Sequence, residues 1–347
     1  MNSSGADAPE RDVRRFRVKR ALVFAFATAC LGWVFHDVHP PELLATMSIA
    51  NWWFVALAII IDILTYVLQG IRWKLLLAPV GRLSTLRATQ GIYAGLFTNE
   101  LVPLRFGELV RAFLVSRWLS LRFTEVLPSM VIERFLDALW LAVGVGLAAI
   151  FVPLPRDLVE VGYALGGILL LATFLFLWMV FRKKKEPECI EHDSSPRALR
   201  GLLSFGLRLA GGLRDIGISY RLYLAALLSA GMLASQALVL GFMMLACRID
   251  LSLGAAAIVL LIVRLGTAIP NAPANVGSFQ FFTVLALRLF GEDKTVSAGF
   301  SMVYFLALTV PLWTLGFLAI SSTCQRSGSK LPLSKLVSGT SLLRLLN

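Results

Sequence analysis

The chain has 347 residues, of which 57% are hydrophobic and 16% charged, with a mean hydropathy of +0.76. Apolar runs recur from Ala21 to Phe181 and from Leu222 to Ser321, far more than a soluble core of this size uses, so the sequence reads as one polytopic membrane domain. A balance of 33 basic against 21 acidic residues gives +12, but the excess sits beside the apolar runs, where it orients a membrane protein, and not on a basic soluble face; nucleic acid is excluded as a partner.

The N-terminal tail, residues 1–19, is basic and polar and is followed by no small-residue cleavage site, so the first apolar run is expected to stay as an anchor. Full spans are predicted over Arg20–Phe35, Trp52–Gln69, Thr124–Phe151, Leu158–Phe181, Leu222–Ala246 and Val296–Ser322. Arg72, Trp73 and Lys74 end the second of these and read as interfacial anchors. Four shorter pieces, Leu86–Phe97, Gly107–Trp118, Ala255–Ile269 and Val276–Phe290, lie around two Pro/Gly-broken stretches. Each would rise only about 18–22 Å as helix, short of a core about 30 Å thick. They are predicted to form two re-entrant hairpins with tips at Pro103–Gly107 and Pro273–Gly277; four short, tilted spans are the competing arrangement.

Lys and Arg counting then puts the N-terminal tail, Arg72–Arg87, Arg117–Arg122, a loop over 182–221 and a C-terminal tail over 323–347 on the cytoplasmic side. The first hairpin enters from inside and the second from outside, which is the pattern of an inverted repeat. The expectation is an all-α bundle of about six spans plus two hairpins within residues 20–322, in the cell's inner membrane, with both termini cytoplasmic. Within the loop, Pro196–Gly212 mixes Leu and Arg in the manner of an amphipathic surface helix, or is a plain loop.

Charge inside such a bundle survives around a cavity or as a buried pair. Glu108 and Arg111 share a helical face three residues apart, as Glu133 and Asp137 do four apart with Arg134 beside them. Arg105, Arg111 and Arg134 either converge on one phosphate, whose oxygens suit guanidinium forks, or build a structural ion network. Asp62 is alone in its apolar run, as a coupling carboxylate or as a counter-ion to Arg264 or Arg134. In the second hairpin Asn271, Asn275, Ser278 and Gln280 surround a helix start near Val276 that would present free amides to an anion, or that Asn275 simply caps. Cys30, Cys189, Cys247 and Cys324 have no metal or disulfide spacing, His36, His39 and His192 form no ligand set, and no catalytic or cofactor motif occurs. No metal, cofactor or catalytic residue is expected.

Asn99-x-x-x-Pro103-x-Arg105-x-Gly107-Glu108-x-x-Arg111, followed by Glu133-Arg134-x-x-Asp137, resembles the lysylphosphatidylglycerol synthase transmembrane-region family, also called flippase-like. Arg72-Trp73 and Pro270-x-x-Pro273-x-x-x-Gly277 fit the same pattern, and the likeness runs from about Ala21 to Ser322. The family is similar to the membrane domain of the multiple peptide resistance factor, which flips aminoacylated phosphatidylglycerol, and to proteins near hopanoid and glycolipid pathways. Gln280 stands where many members carry Glu, which removes a carboxylate from that tip. The chain ends at Asn347 without an aminoacyl-transferase domain, so lipid lysylation is not the expected activity.

The resemblance implies a non-enzymatic protein that binds an anionic or lipid-linked headgroup and moves it between leaflets. Asn99, Arg105, Glu108, Arg111, Glu133, Arg134 and Asp137 are the expected headgroup site, with the second hairpin (Asn271, Pro273, Asn275, Gly277, Ser278, Gln280) as the opposite half. The alternatives are a membrane transferase acting on lipid-linked sugar, or a scaffold for a lipid-synthesis enzyme.

Overall fold

The computed structural model describes residues 22–36, 50–101, 106–151, 219–268 and 272–326, with a few isolated positions between them. All regular structure among the described residues is helical. In chain order it comprises α1 (Leu22–Phe35), α2 (Trp52–Leu77), α3 (Thr85–Leu101), α4 (Gly107–Leu119), α5 (Phe123–Phe151), α6 (Tyr220–Ala246) and α7 (Leu253–Ala268). A 3-10 turn at Pro273–Asn275, α8 (Ser278–Arg288) and α9 (Lys294–Arg326) complete it. Predicted tip residues Pro103 and Arg105, the site residue Asn271, most of Leu158–Phe181 and the amphipathic segment 196–210 lie outside the described residues.

Local chemistry sets the helix ends. Asn51, Ser84 and Ser252 each accept a backbone amide of the first turn of α2, α3 and α7, at 3.1, 3.3 and 3.2 Å. Left-handed residues Ser120, Arg248 and Gly291 follow α4, α6 and α8, and in each case the next amide reaches back to a helix carbonyl, as Leu121 does to Ser116 at 2.9 Å.

Asp293 begins α9 by accepting the amides of Thr295 and Val296 at 2.7 and 3.4 Å. The Thr295 amide chiefly holds its carboxyl below the usual aspartate range. A depressed folded-state value contributes stability above the ordinary aspartate pKa and loses it as the pH falls through the folded one. Asp293→Ala is therefore expected to lower stability by up to about 1 kcal/mol near pH 7, a small value because the group is exposed. Thermal unfolding in detergent should show that difference closing as the pH falls below the ordinary aspartate range.

Three helices, α2, α6 and the segment Lys294–Thr323 of α9, are long and apolar enough to cross a membrane. α5 has 29 residues but carries Glu125, Glu133, Arg134 and Asp137. Ile60, Leu64, Leu227, Val310, Phe317 and Leu318 all turn outward, the apolar surface a lipid-embedded protein presents. α3, α4, α7 and α8 have 17, 13, 16 and 11 residues and rise no more than about 26 Å each.

The chain divides into two compact units built from separated stretches. One comprises Met1–Asp62, Tyr93–Val110 and Ala237–Asn347; the other comprises Ile63–Ile92 and Arg111–Gln236. In the first, α8 packs on α7 and α9, and Val34 of α1 joins Val284 and Ala298 in an apolar core. Trp33 meets Phe281 edge-on at 4.9 Å. In the second, Leu76, Ile132, Leu136, Ile216 and Ala225 form the core, and α2 and α3 approach closely where Gly70 faces Thr89 and Gly91 faces the Trp73 ring.

Candidate functional site: a buried guanidinium–carboxylate cluster

α2 runs eight residues past Gln69, and this extension corrects the reading of Arg72 and Trp73 as interfacial anchors. Both are fully buried within the second unit. The residues Thr65, Gln69, Arg72 and Leu76 recur at helical spacing and share the buried face of α2.

Glu133 of α5 is the hub. Its Oε1 accepts hydrogen bonds from Gln69 Nε2 at 3.0 Å, Arg72 Nη2 at 2.9 Å, Arg111 Nη1 at 3.0 Å and Arg134 Nη2 at 3.4 Å. Arg72 also donates Nη1 to Asp137 Oδ1, and to Ser229 Oγ of α6 at 2.8 Å. Ser229 passes its own proton to the Ala225 carbonyl at 2.9 Å. Arg134 reaches Asp137 Oδ2 at 3.6 Å. One side of the cluster is more open, since the side chains of Arg134 and Asp137 are 48% and 30% exposed while those of Arg72 and Glu133 are wholly buried.

Arg111 lies over Trp73, its guanidinium carbon 4.5 Å from the ring centroid. Trp73 is fixed in turn by donating Nε1 to Ser129 Oγ at 3.1 Å, and Ser129 donates to the Val126 carbonyl at 2.7 Å. Arg111 thus has a rigid platform below and a single-point bond to Glu133 through Nη1. Its Nε and Nη2, the edge that grips two oxygens of one oxyanion, have no partner although Arg111 is 3% exposed. Arg72 Nε and Glu133 Oε2 are likewise buried without a partner. Unmade hydrogen bonds at a buried charged group are costly, and four such atoms gather in this one cluster.

Of the expected site residues, Arg111, Glu133, Arg134 and Asp137 come together. Asn99 and Glu108 belong to the first unit. Asn99 Oδ1 accepts the Gly107 amide at 2.7 Å and so locks the turn between α3 and α4. Glu108 is half-buried. Asp62 is buried in the first unit within electrostatic reach of Arg264 on α7, and Tyr93 and Tyr304 are buried near it. Of the two cations expected for it, Arg264 is one that acts on the Asp62 carboxylate.

The second tip differs from its expected geometry. α8 starts at Ser278, not Val276, and Asn275 makes no side-chain cap; a 3-10 turn precedes it, with Ala274 and Asn275 at positive φ. Gln280 Oε1 accepts the Gly277 amide at 2.7 Å, and Ser278 Oγ donates to the Asn275 carbonyl at 3.0 Å. A neutral amide oxygen does this as well as a carboxylate, so Gln280 meets the local need of the turn.

Arg72, Gln69 and Ser229 are the cluster members that sequence reasoning missed. The signal available for the first two was the polar stripe Thr65, Gln69, Arg72 in an otherwise apolar helix. Ser229 lies 157 residues from Arg72 and had no such signal.

The family profile of the Lysylphosphatidylglycerol synthase TM region matches residues 20–316. The chain belongs to this family. A UPF0104 membrane protein of Methanothermobacter thermautotrophicus is 22% identical over 327 residues, covering 88% of this chain and 94% of that protein. The Glycosyltransferase AglD of Haloferax volcanii is 29% identical over 145 residues, 40% of this chain but only 23% of that protein. Membership, the apolar helices and the outward-facing apolar surface together make this a membrane-embedded member of the lysylphosphatidylglycerol synthase TM-region family.

Proposed function

We propose that this protein binds the anionic headgroup of a membrane lipid and moves it between leaflets. The observation that carries the reading is the buried Nε–Nη2 edge of Arg111, which has no hydrogen-bond partner although its guanidinium lies over Trp73. Such an edge suits two oxygens of a phosphate, and Arg134 at the more open side suits a first encounter with the headgroup. Glu133 and Asp137 position the guanidiniums. The four short helices fit two re-entrant hairpins related as an inverted repeat, a common basis for alternating access. Asn99 acts on the first hairpin's turn, Arg105 and Glu108 are assigned to the headgroup with Arg111, and the second tip serves the other half of the path. Asp62 with Arg264 is a charge pair available to couple that movement. We place it in the inner membrane, and the Lys and Arg distribution supports cytoplasmic termini. No enzymatic step is assigned.

The test is lipid flipping in reconstituted vesicles beside melting temperature. Arg111→Gln is expected to slow flipping of an anionic lipid about tenfold or more while the protein stays folded, and Arg111→Lys to restore only part, because an ammonium lacks the planar fork. Unchanged flipping by well-folded Arg111→Gln protein removes this residue from the mechanism. A lowered melting temperature with flipping lost only in proportion to folded protein makes the cluster structural.

A second reading is favoured by the partial likeness to AglD, a protein named as a glycosyltransferase: a role in lipid-linked glycan synthesis, as an accessory or as a membrane transferase. A carboxylate whose loss abolishes product formation but not lipid binding would identify it.

A further inference from the structure

The first unit buries a carboxylate of its own. Asp62 of α2 lies within electrostatic reach of Arg264 of α7 and of two buried phenols, Tyr93 of α3 and Tyr304 of α9. Tyr66 follows one turn later on α2 itself. Asp62 and Tyr304 are each ten residues from their helix ends at Trp52 and Lys294, and Arg264 is eleven from Leu253. Each therefore stands about 15–17 Å along its helix, near the middle of a core about 30 Å thick. The Lys and Arg distribution supports placing those three ends on the outer side. An ionised carboxylate at that depth carries a desolvation cost that a proton removes, and Arg264, the cation acting on it, is itself exposed.

A polar face of α9 runs from the outer end to this site. Ser297, Ser301 and Tyr304 recur at i, i+4 and i+7, share one helical face and are all buried. Ser301 donates Oγ to the Ala298 carbonyl at 2.7 Å and keeps its lone pairs for another donor. Ser297 Oγ is wholly buried without a hydrogen-bond partner. A packed apolar helix gains nothing from such a hydroxyl, and leaving it unbonded is costly. Along the axis the three stand about 5, 11 and 15 Å from Lys294, in steps that one bridging water each would close.

Resting on the transport reading above, we infer that lipid movement is coupled to protons: Asp62 is the proton-binding residue, and the Ser297–Ser301–Tyr304 face of α9 carries the proton to it from the outer side. In each cycle one proton adds to the Asp62 carboxylate, which turns a buried anion beside Arg264 into a neutral acid. The same proton then leaves to the inner side and the carboxylate reforms, so charge balances and no electrons move. The two charge states of one buried group are what a two-state transporter needs to tie its conformations to a gradient.

The test is full-length protein in phosphatidylcholine vesicles with a minor fraction of phosphatidylglycerol, under an imposed gradient of about one pH unit. Coupling is thermodynamic, so the result does not depend on which way round the protein inserts. Wild-type protein is expected to shift the inner-to-outer ratio of phosphatidylglycerol by up to about tenfold relative to protein-free vesicles, the ratio of proton activities. A protonophore should return it. Asp62→Asn keeps the shape but cannot take up the proton, and should leave the leaflets as in protein-free vesicles. Tyr304→Phe keeps the ring against Phe279 at 5.2 Å and removes only the hydroxyl; it should slow the approach to that ratio severalfold with an unchanged melting temperature. Wild-type flipping that ignores the gradient overturns proton coupling, and so does an asymmetry that survives in Asp62→Asn. An unslowed Tyr304→Phe overturns the α9 route. Absence of phosphatidylglycerol flipping by wild-type protein, with or without the gradient, overturns the transport reading itself.

Discussion

Glu133→Ala is expected to destabilise the protein by about 3–5 kcal/mol, the scale of breaking a buried ion pair by removing one partner. The side chain is wholly buried and ties three guanidiniums and an amide to one oxygen. Without it Arg72, at zero exposure, keeps Asp137 and Ser229 but loses its buried counter-charge, and Arg111 keeps, among the described residues, the Trp73 face. Arg134→Gln is the matched control, because that side chain is about half exposed and its pairs are solvent-screened, worth at most about 1 kcal/mol. The readout is melting temperature and monodisperse yield in detergent. An unchanged melting temperature for Glu133→Ala would show that the cluster is hydrated and loosely held, against the geometry. A further arm separates stability from function: replacing Arg72, Arg111, Glu133 and Asp137 together by apolar residues of similar volume strands no charge among the four and should recover much of the lost stability. If that quadruple variant is well folded and inactive, the charges are there for the ligand.

The cluster was half legible in the sequence. Glu133, Arg134, Asp137 and Arg111 declare themselves because a charge deep in an apolar run has no solvent and must find a partner, and helical spacing names the shared faces. Arg72 was hidden by a length argument. Eighteen apolar residues satisfied the thickness of a bilayer, so the helix was ended at Gln69 and the next basic residue was given to the interface; the helix runs to Leu77 and places Arg72 at the centre. Periodicity carried the better information, since Thr65, Gln69 and Arg72 continue one face without regard to where the apolar run ends. Which carboxylate Arg72 meets is a tertiary fact that spacing within one helix does not contain, and the same holds for Ser229. The tip at Pro273–Gly277 shows the opposite case. The break was readable from Pro and Gly alone, but the choice of cap depends on backbone dihedrals: Asn275 adopts φ 54°, and the acceptor for the Gly277 amide comes from Gln280, three residues ahead.

Gly107→Ala and Gly277→Ala are expected to be the most damaging single-methyl additions among the described residues. At Gly107 a Cβ would run into the Gly95 carbonyl oxygen and stand 2.7 Å from Asn99 Oδ1, the atom that receives the Gly107 amide at the same distance. Backbone on one side and a hydrogen-bonded amide on the other leave nothing that can rotate away, so α3 and α4 must separate. Overpacking of this kind costs about 1–3 kcal/mol and more where backbone is the obstacle. At Gly277 two penalties add. Its φ of 87° is disfavoured for any residue with a Cβ, and that Cβ would meet the carbonyl oxygen of Ala27 in the middle of α1. Gly146, in α5, is the control: nothing lies within 4 Å of its would-be Cβ, and alanine in a helix interior gains up to about 1 kcal/mol over glycine. Melting temperatures should therefore fall for Gly107→Ala and Gly277→Ala and hold or rise for Gly146→Ala. A Gly277→Ala protein as stable as wild type would mean that the second tip does not press against α1, and a Gly107→Ala protein as stable as wild type would mean that α3 and α4 do not close on each other at the turn. If both variants fold at low temperature but flip lipid slowly, the damage lies in the spacing of the hairpin arms.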